Sequence, residues 1–427
     1  LKIKSLQAIF NLEGWVALGL TGASIVWPAL LPAALIGMGA FFLLRLLFQG
    51  RPSRLSLADW CIGLVAGMGL ASLWVSSTWE TTVVQVERLL VGILACYALV
   101  NWALTQTRLK AGARMIIAAG TGLALAAPFV TAWQDKLNLR PASIYERFPL
   151  LVADPSNPNV IAGSLALVFP LALGMLIYGW KSSGWMERIL LGMASAVMGL
   201  VIVLTQSRGA LLATLLGGIF LVSLSWKRAG LWIGVLILFL VLSALIIGGS
   251  EFLGYFGSAL DAPGPTGRED NWLRATYILR DFPFSGVGMG SFGRVVDAYY
   301  PFEGLAPGSV EHAHNLLLQI GVDLGIPGLV GWLGVFFLVV FAAWQIVFRN
   351  VSAEPAARPD PAQPCRKVLG LGEGLLAAQL VLLLHGLVDA VTWGMVRPAP
   401  LVWIVWGITL AGFQLGENQR NPAPDGS

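Results

Sequence analysis

The sequence predicts an all-α polytopic membrane protein, with about twelve transmembrane helices and one large outer loop that carries short helices of its own. Three observations predict it. Of 427 residues, 56% are hydrophobic and only 12% are charged, where a soluble globular chain carries about 25% charged residues. Apolar stretches of about 20 residues, the length needed to cross the hydrocarbon core, recur along the chain. Backbone groups in lipid must be paired within the chain, so the spans are helices or a closed barrel, and the alternating pattern of a barrel is absent.

The expected spans, in order, are 8–25, 29–48, 57–76, 82–104, 112–132, 158–179, 186–205, 209–225, 229–248, 325–347, 370–391 and 398–415. Lys2 and Lys4 precede the first apolar run, and no cleavage site intervenes before the second, which reads as a retained helix rather than a signal peptide. Pro28 and Pro32 mark the turn between the first two spans. Residues 1–427 form a single membrane domain. It has outer loops at 133–157 and 249–324, a Pro/Ala-rich cytoplasmic linker at 348–369 and a flexible cytoplasmic tail at 416–427. No half-to-half repeat of the transporter type is evident.

Charge orients the bundle. With the N-terminus inside, 17 of the 27 Lys and Arg fall in inner segments, every short inner loop is basic, and both termini are cytoplasmic. Nine basic residues remain outside, eight of them arginines, and seven of the nine lie in the two long outer loops. Arginine binds phosphate through a planar fork and is always charged, so this bias points to an anionic ligand; anchoring to lipid headgroups is the plainer reading. The net charge of +4 reports loop topology and does not indicate nucleic acid. Cys61, Cys96 and Cys365 are far apart, so neither a disulfide framework nor a zinc site is expected.

The large outer loop reads as a helix over 270–281, with Trp272, Ala275, Ile278 and Leu279 on one side and Asp281-Phe282-Pro283 as its stop. Gly286, Gly288, Gly290 and Gly293 then make a tight turn. Arg268, just ahead of the helix, could help its N–H groups hold a phosphate; an amphipathic helix lying on the bilayer explains the same pattern. Arg208, in "TQSRGALLAT", is fixed at the outer interface, as a snorkelling anchor or as a headgroup or pyrophosphate ligand. Asn157, Pro158 and Asn159 in "DPSNPNVIAG" make a turn that caps the next span.

Two of the three histidines stand in "EHAHN", residues 311–315. On a helix His312 and His314 would point about 200° apart; in an extended segment both can face one point. A zinc site needs three or four ligands, and His385 belongs to another span, so no metal is expected, although Glu311 and Asp323 are near in sequence. A single histidine suits general-base work; helix capping is the alternative. His385 and Asp389 are four apart and read as one face of a late span, where they could pair or support the site; Arg88 is a further ionisable residue within a span.

In order, the motifs are NPN before a span, SRG between two spans, and GR…W followed by PFSGVGMGSF. HAHN with GIPGL close behind and H…D in a late span complete the set. Over roughly residues 140 to 395 this set resembles the O-antigen ligase and polymerase superfamily of bacterial envelopes. The resemblance implies a GT-C-like glycosyltransferase of the bacterial inner membrane, active on its outer face. Such a protein takes a glycan from an undecaprenyl-diphosphate carrier and passes it to an acceptor hydroxyl, on lipid A core in ligases or on another carrier-linked glycan in polymerases. It also implies metal-independent, inverting transfer without a cofactor, and partners that are the carrier-linked donor, the acceptor and membrane lipids, with no nucleic acid. Carried onto this chain, His314 is the base, with His312 as second choice. Arg268 and Arg208 hold the carrier pyrophosphate, with Arg147 and Arg274 behind them, and Asn315, Asn159, His385 and Asp389 support the site. Leu316 stands where the family often has an acidic residue.

The physics is compatible with that implication. Fixed arginines can stabilise a departing pyrophosphate without a metal, and neither an Asp-X-Asp nor a Trp-Trp-Asp signature occurs in the chain. A transporter of an anionic or lipid-linked substrate would place its polar residues near the midplane, whereas here they concentrate at the outer rim. A scaffold would leave the arginine bias unexplained.

Overall fold

The computed structural model describes residues 2–133, 150–152, 154–224, 268–304, 306–348 and 370–420. The described helices are α1 (Lys2–Val26), α2 (Leu31–Gln49), α3 (Asp59–Val75), α4 (Trp79–Trp102), α5 (Gln106–Val130), α6 (Pro158–Gly179), α7 (Trp185–Leu204), α8 (Arg208–Ser223), α9 (Arg268–Asp281), α10 (Phe292–Tyr299), α11 (Leu316–Phe348), α12 (Leu371–Gly386) and α13 (Pro400–Arg420). No strand occurs among the described residues; Thr131 and Ser156 form an isolated bridge. Each expected span except 229–248 has a helix, and 229–248, like Arg147 and most of the linker, lies outside the described residues. Among the described residues, seven helices (α1, the Pro28–Gln49 stretch containing α2, α4, α5, α6, α7 and α11) are long and apolar enough to cross a membrane, and α3, α8 and α12 are shorter apolar helices.

The helix ends follow local chemistry. Thr105 accepts the N–H of Arg108 at the start of α5, and Asn157 accepts that of Asn159 at the start of α6, with Pro158 as first helical residue. The expected tail at 416–427 begins in helix: α13 runs to Arg420, and Gln414 donates to the Leu55 carbonyl at 2.6 Å. At α11 the helix begins at Leu316, earlier than the expected span, because Asn315 caps it through the N–H groups of Leu317 and Leu318. The expected boundary at 325 is a break. Gly325 has φ 71° and ψ 179°, dividing α11 into a short N-terminal segment and the long span. Only glycine adopts that conformation cheaply, and the break is held by Ile326 N–H donating to the Pro283 carbonyl at 2.7 Å.

Between apolar helices in lipid, close packing has to do what the hydrophobic effect does in water. α6 packs on α5, α7, α8 and α12; α13 packs on α4, and α11 on α3. At Gly174 of α6 a Cβ would lie 2.6 Å from the Gly370 carbonyl oxygen and 2.7 Å from Gly374 Cα, so these backbones touch directly. At one end of the bundle Arg45 Nε donates to Glu13 at 2.8 Å and Asn101 binds the other Glu13 oxygen at 3.0 Å, fastening α1, α2 and α4 in a buried polar cluster. At the opposite end the segments assigned outside by charge come together: Ser291 bonds Ser76 and Thr78, Arg397 pairs with Asp154, and Asn315 bonds Leu387.

That end carries a second small core. Ala275 and Ile278 of α9, Phe292 and Val296 of α10, and Ala313 and Val322 are fully buried together. The expected side of the 270–281 helix is thus the side that packs, with Asn271 buried beside it.

Candidate active site

The histidine segment is built on that small core. Residues 311–315 are not helical, so the two-residue spacing brings both rings together: His312 and His314 lie with centroids 3.9 Å apart. Ala313 between them is fully buried in the small core. His314 has φ 50°, a left-handed conformation that costs a non-glycine residue roughly 1–2 kcal/mol. Surrounding bonds hold it there: its N–H donates to His312 Nδ1 at 3.2 Å, its carbonyl accepts from Trp272 Nε1 at 3.4 Å, and the Ala313 N–H donates to Gln319 Oε1 at 2.8 Å.

The partner of His314 comes from far away in sequence. α12 stops at Gly386, so Asp389 lies past the helix end and does not share a helical face with His385 as the four-residue spacing predicts. The chain turns there, with the Asp389 N–H on the His385 carbonyl and the Ala390 N–H on Asp389 Oδ1. Asp389 Oδ1 thereby reaches 3.6 Å from His314 Nδ1, a distance of charge attraction rather than a hydrogen bond. Burial would raise the Asp389 carboxyl, but contact with His314 and the charges of His312 and His385 outweigh it and hold the group below the usual carboxylate range. Burial, and next the charge of His314, push His312 down to about 4; Arg268 acts in the same direction and Asp389 against it.

A buried relay ties the two halves of this pair together. Gln319, which holds Ala313, donates to Asp323 Oδ1 at 3.0 Å, and Trp393 Nε1 donates to Asp323 Oδ2 at 2.8 Å. Asn315 donates to the Leu387 carbonyl at 3.0 Å while capping α11. Arg88, deep in α4, donates to the carbonyls of Gly394 and Met395 at 3.1 Å and so fixes the loop that carries Asp389.

His385 is buried between α6 and α8. A Cβ on Gly163 of α6 would fall 2.8 Å from His385 Cε1, and one on Gly209 of α8 would fall 3.2 Å from its Cδ2. The glycines of "NPNVIAG" and "SRG" thus leave room for one imidazole, whose Nε2 is buried with no hydrogen-bond partner among the described residues. Arg208, next to Gly209, opens α8. Arg268 opens α9, and its charge is felt at His312. Arg274 is engaged elsewhere: its guanidinium lies 4.1 Å from the Phe302 ring centre and 3.6 Å from Asp270.

A cavity of about 550 Å³ opens beside the pair, bordered by His312, His314, Asp389, Asn159, Gln85 and Arg294 among others. His312, His314 and Asp389 each offer a ligand atom within 4.8 Å of the others, and with an open fourth position toward the cavity they could hold a metal ion. As the residues stand, the His312 Nδ1 lone pair accepts the His314 N–H, which puts its proton on Nε2 and leaves neither nitrogen free to ligate. A histidine beside a buried carboxylate is an arrangement that can accept a proton.

Sequence reasoning passed over Gln85, Gln319 and Trp393. One signal was available: Thr81, Gln85 and Arg88 recur at helical spacing along one face of an apolar span.

No curated protein matches the chain closely enough to serve as a relative. Residues 193–333, 141 of the 427, match the sequence model of the family described as O-antigen ligase. The match runs from α7 through the histidine segment into the span of α11, and it supports the resemblance of the chain to the O-antigen ligase and polymerase superfamily.

Proposed function

We propose that the protein is an O-antigen ligase-type glycosyltransferase that moves a glycan from an undecaprenyl-diphosphate carrier to a hydroxyl of lipid A core, on the outer face of the bacterial inner membrane. The observation that carries this reading is the pairing of His314 with Asp389 at the edge of the cavity. Asp389 occupies the Nδ1 side of the ring, which leaves Nε2 for the substrate. The acceptor oxygen attacks the anomeric carbon and its proton passes to His314 Nε2. The bond from that carbon to the phosphate oxygen breaks, and the electron pair leaves on undecaprenyl diphosphate. One displacement inverts the anomeric centre. Arg268 and Arg208 hold the leaving charge, and a fixed guanidinium does this without reorganising at the moment of reaction. Asp389 stabilises the imidazolium that forms.

The test is His314→Ala in cells lacking the endogenous gene, read as surface glycan on a gel and then with purified components. A positioned base contributes roughly 10²–10⁴-fold, and a loss of that size is expected. Transfer at the wild-type rate by a well-expressed variant would overturn the base assignment. Uptake of carrier-linked glycan into proteoliposomes with no glycosidic product would overturn the enzyme reading. Repeated growth of a glycan on its carrier, in place of single attachment to lipid A core, would turn the reading to a polymerase of the same superfamily.

A further inference from the structure

We infer that the cavity beside His314 is the acceptor subsite, and that it selects an uncharged glycan through the side-chain amide of Gln85. The inference rests on the transfer reading above and adds which substrate sits where, and what reads it. Only the acceptor hydroxyl has to touch the base, and His314 lines this cavity, whereas Arg268 and Arg208 do not.

The charge of the walls decides what can enter. Asp297, Glu311 and Asp389 line the cavity against one arginine, Arg294, whose Nη1 already donates to the Ser77 carbonyl at 2.8 Å. A phosphate would meet three carboxylates there and is disfavoured. Sugar hydroxyls donate to carboxylates and are favoured. The pyrophosphate and the acceptor are thereby sorted to different sides of the histidine pair by charge alone.

Gln85 supplies the reading group. It is 4% exposed, it lines the cavity, and its Oε1 has no hydrogen-bond partner among the described residues. Buried polar atoms are nearly always paired, so an unpaired one at a cavity wall calls for a donor from the ligand. Two glycines enclose the amide: a Cβ on Gly290 would lie 2.5 Å from its Nε2, and one on Gly394 would lie 3.4 Å from its Oε1. The Oε1 is covered as it stands, and a small rotation of this flexible side chain brings it to a hydroxyl in the cavity. Thr81, one turn earlier on α4, adds a hydroxyl to the same wall. Amide, hydroxyl and carboxylate together match a polyol, and the volume lies within the roughly 300–1,000 Å³ usual for small-molecule sites.

The experiment is a binding measurement on the full chain in nanodiscs without donor. The probe is the host's core oligosaccharide released from lipid A, with and without enzymatic removal of its phosphates, followed by saturation-transfer NMR and titration. The dephosphorylated glycan is expected to bind wild type at least as tightly as the phosphorylated one, and Gln85→Leu to weaken it about tenfold. Wild-type affinity in Gln85→Leu, tighter binding of the phosphorylated glycan, or no binding of either overturns the inference. Should Gln85→Leu fail to accumulate as folded protein, Thr81→Val carries the test, with a weakening of about threefold expected and unchanged affinity overturning it. Because no turnover is needed, a wild type that binds the glycan but forms no glycosidic bond refutes the reaction and leaves the subsite standing. Transfer with unaltered binding in the variant does the reverse.

Discussion

Replacing Asp389 by Asn isolates what the carboxylate does for His314. The carboxamide keeps the shape and can still accept the Ala390 N–H through its oxygen, so the loop is expected to persist. What disappears is a negative charge 3.6 Å from His314 Nδ1. Against the imidazolium formed when the ring takes a proton, that charge is worth about 5 kcal/mol at an effective dielectric of about 20 and about 1 kcal/mol in bulk water. Asp389 is nearly buried and the His314 side chain is 35% exposed, which sets the value between these limits, at about 2–3 kcal/mol. Since each 1.36 kcal/mol is about tenfold in rate, kcat should fall roughly a hundredfold. The acceptor KM should stay within about threefold, because the interaction strengthens only as the proton arrives. The assay is transfer from carrier-linked glycan by purified protein, with thermal unfolding in detergent confirming the fold. A variant that unfolds at the wild-type temperature and turns over at the wild-type rate, while His314→Ala is inactive, would refute the reasoning.

Four further outcomes are expected. The folded chain disfavours protonated His312, so stability is complete above the unfolded histidine pKa of about 6.5 and is lost as pH falls toward about 4. The full shift would be worth roughly 3 kcal/mol and partial exposure of the ring lowers this to about 1–2 kcal/mol; His312→Gln should flatten the unfolding temperature across that window, and an unchanged pH slope would refute the assignment. Gly163→Ala sets a Cβ 2.7 Å from Val391 and 2.8 Å from His385, so overpacking should cost about 1–3 kcal/mol, measured as a lower unfolding midpoint in detergent. Arg268→Gln should raise the donor KM about thirtyfold, as the loss of one charged contact of about 2 kcal/mol implies. Arg274→Gln should leave the donor KM unchanged and lower stability by about 1 kcal/mol through the lost Phe302 contact.

Much of this molecule is legible in its sequence, for physical reasons. Spans announce themselves because lipid leaves the backbone no alternative to the helix, and the break at Gly325 stands where the apolar run begins. The sidedness of the arginines anticipates which loops gather at one end. Contacts between distant segments are not legible. The spacing of His385 and Asp389 favours a local helical pair, and only the end of α12 at Gly386 sends Asp389 to His314 instead. Arg268 and Arg274 look alike as outer arginines, yet a ring from a segment 28 residues downstream engages one of them. Gln85 resembles any amide in a span until two glycines from separate loops are seen to enclose it.

The break in α11 also bears on how this site tolerates the bilayer around it. A span answers a thicker or thinner membrane by changing its tilt. In an unbroken helix that tilt would carry straight up to Asn315 and alter the distance from His314 to Asp389. Here the N-terminal segment, Leu316 to Leu324, is fastened instead to its own neighbours: the Val287 and Gly288 N–H groups bond the Val322 and Asp323 carbonyls, and Trp393 bonds the Asp323 side chain. The break at Gly325 sets the direction of the lower helix apart from that of the upper segment, and the bond from Ile326 to Pro283 anchors the junction. Lipid chain length should therefore change how the protein sits in its membrane more than how fast it works.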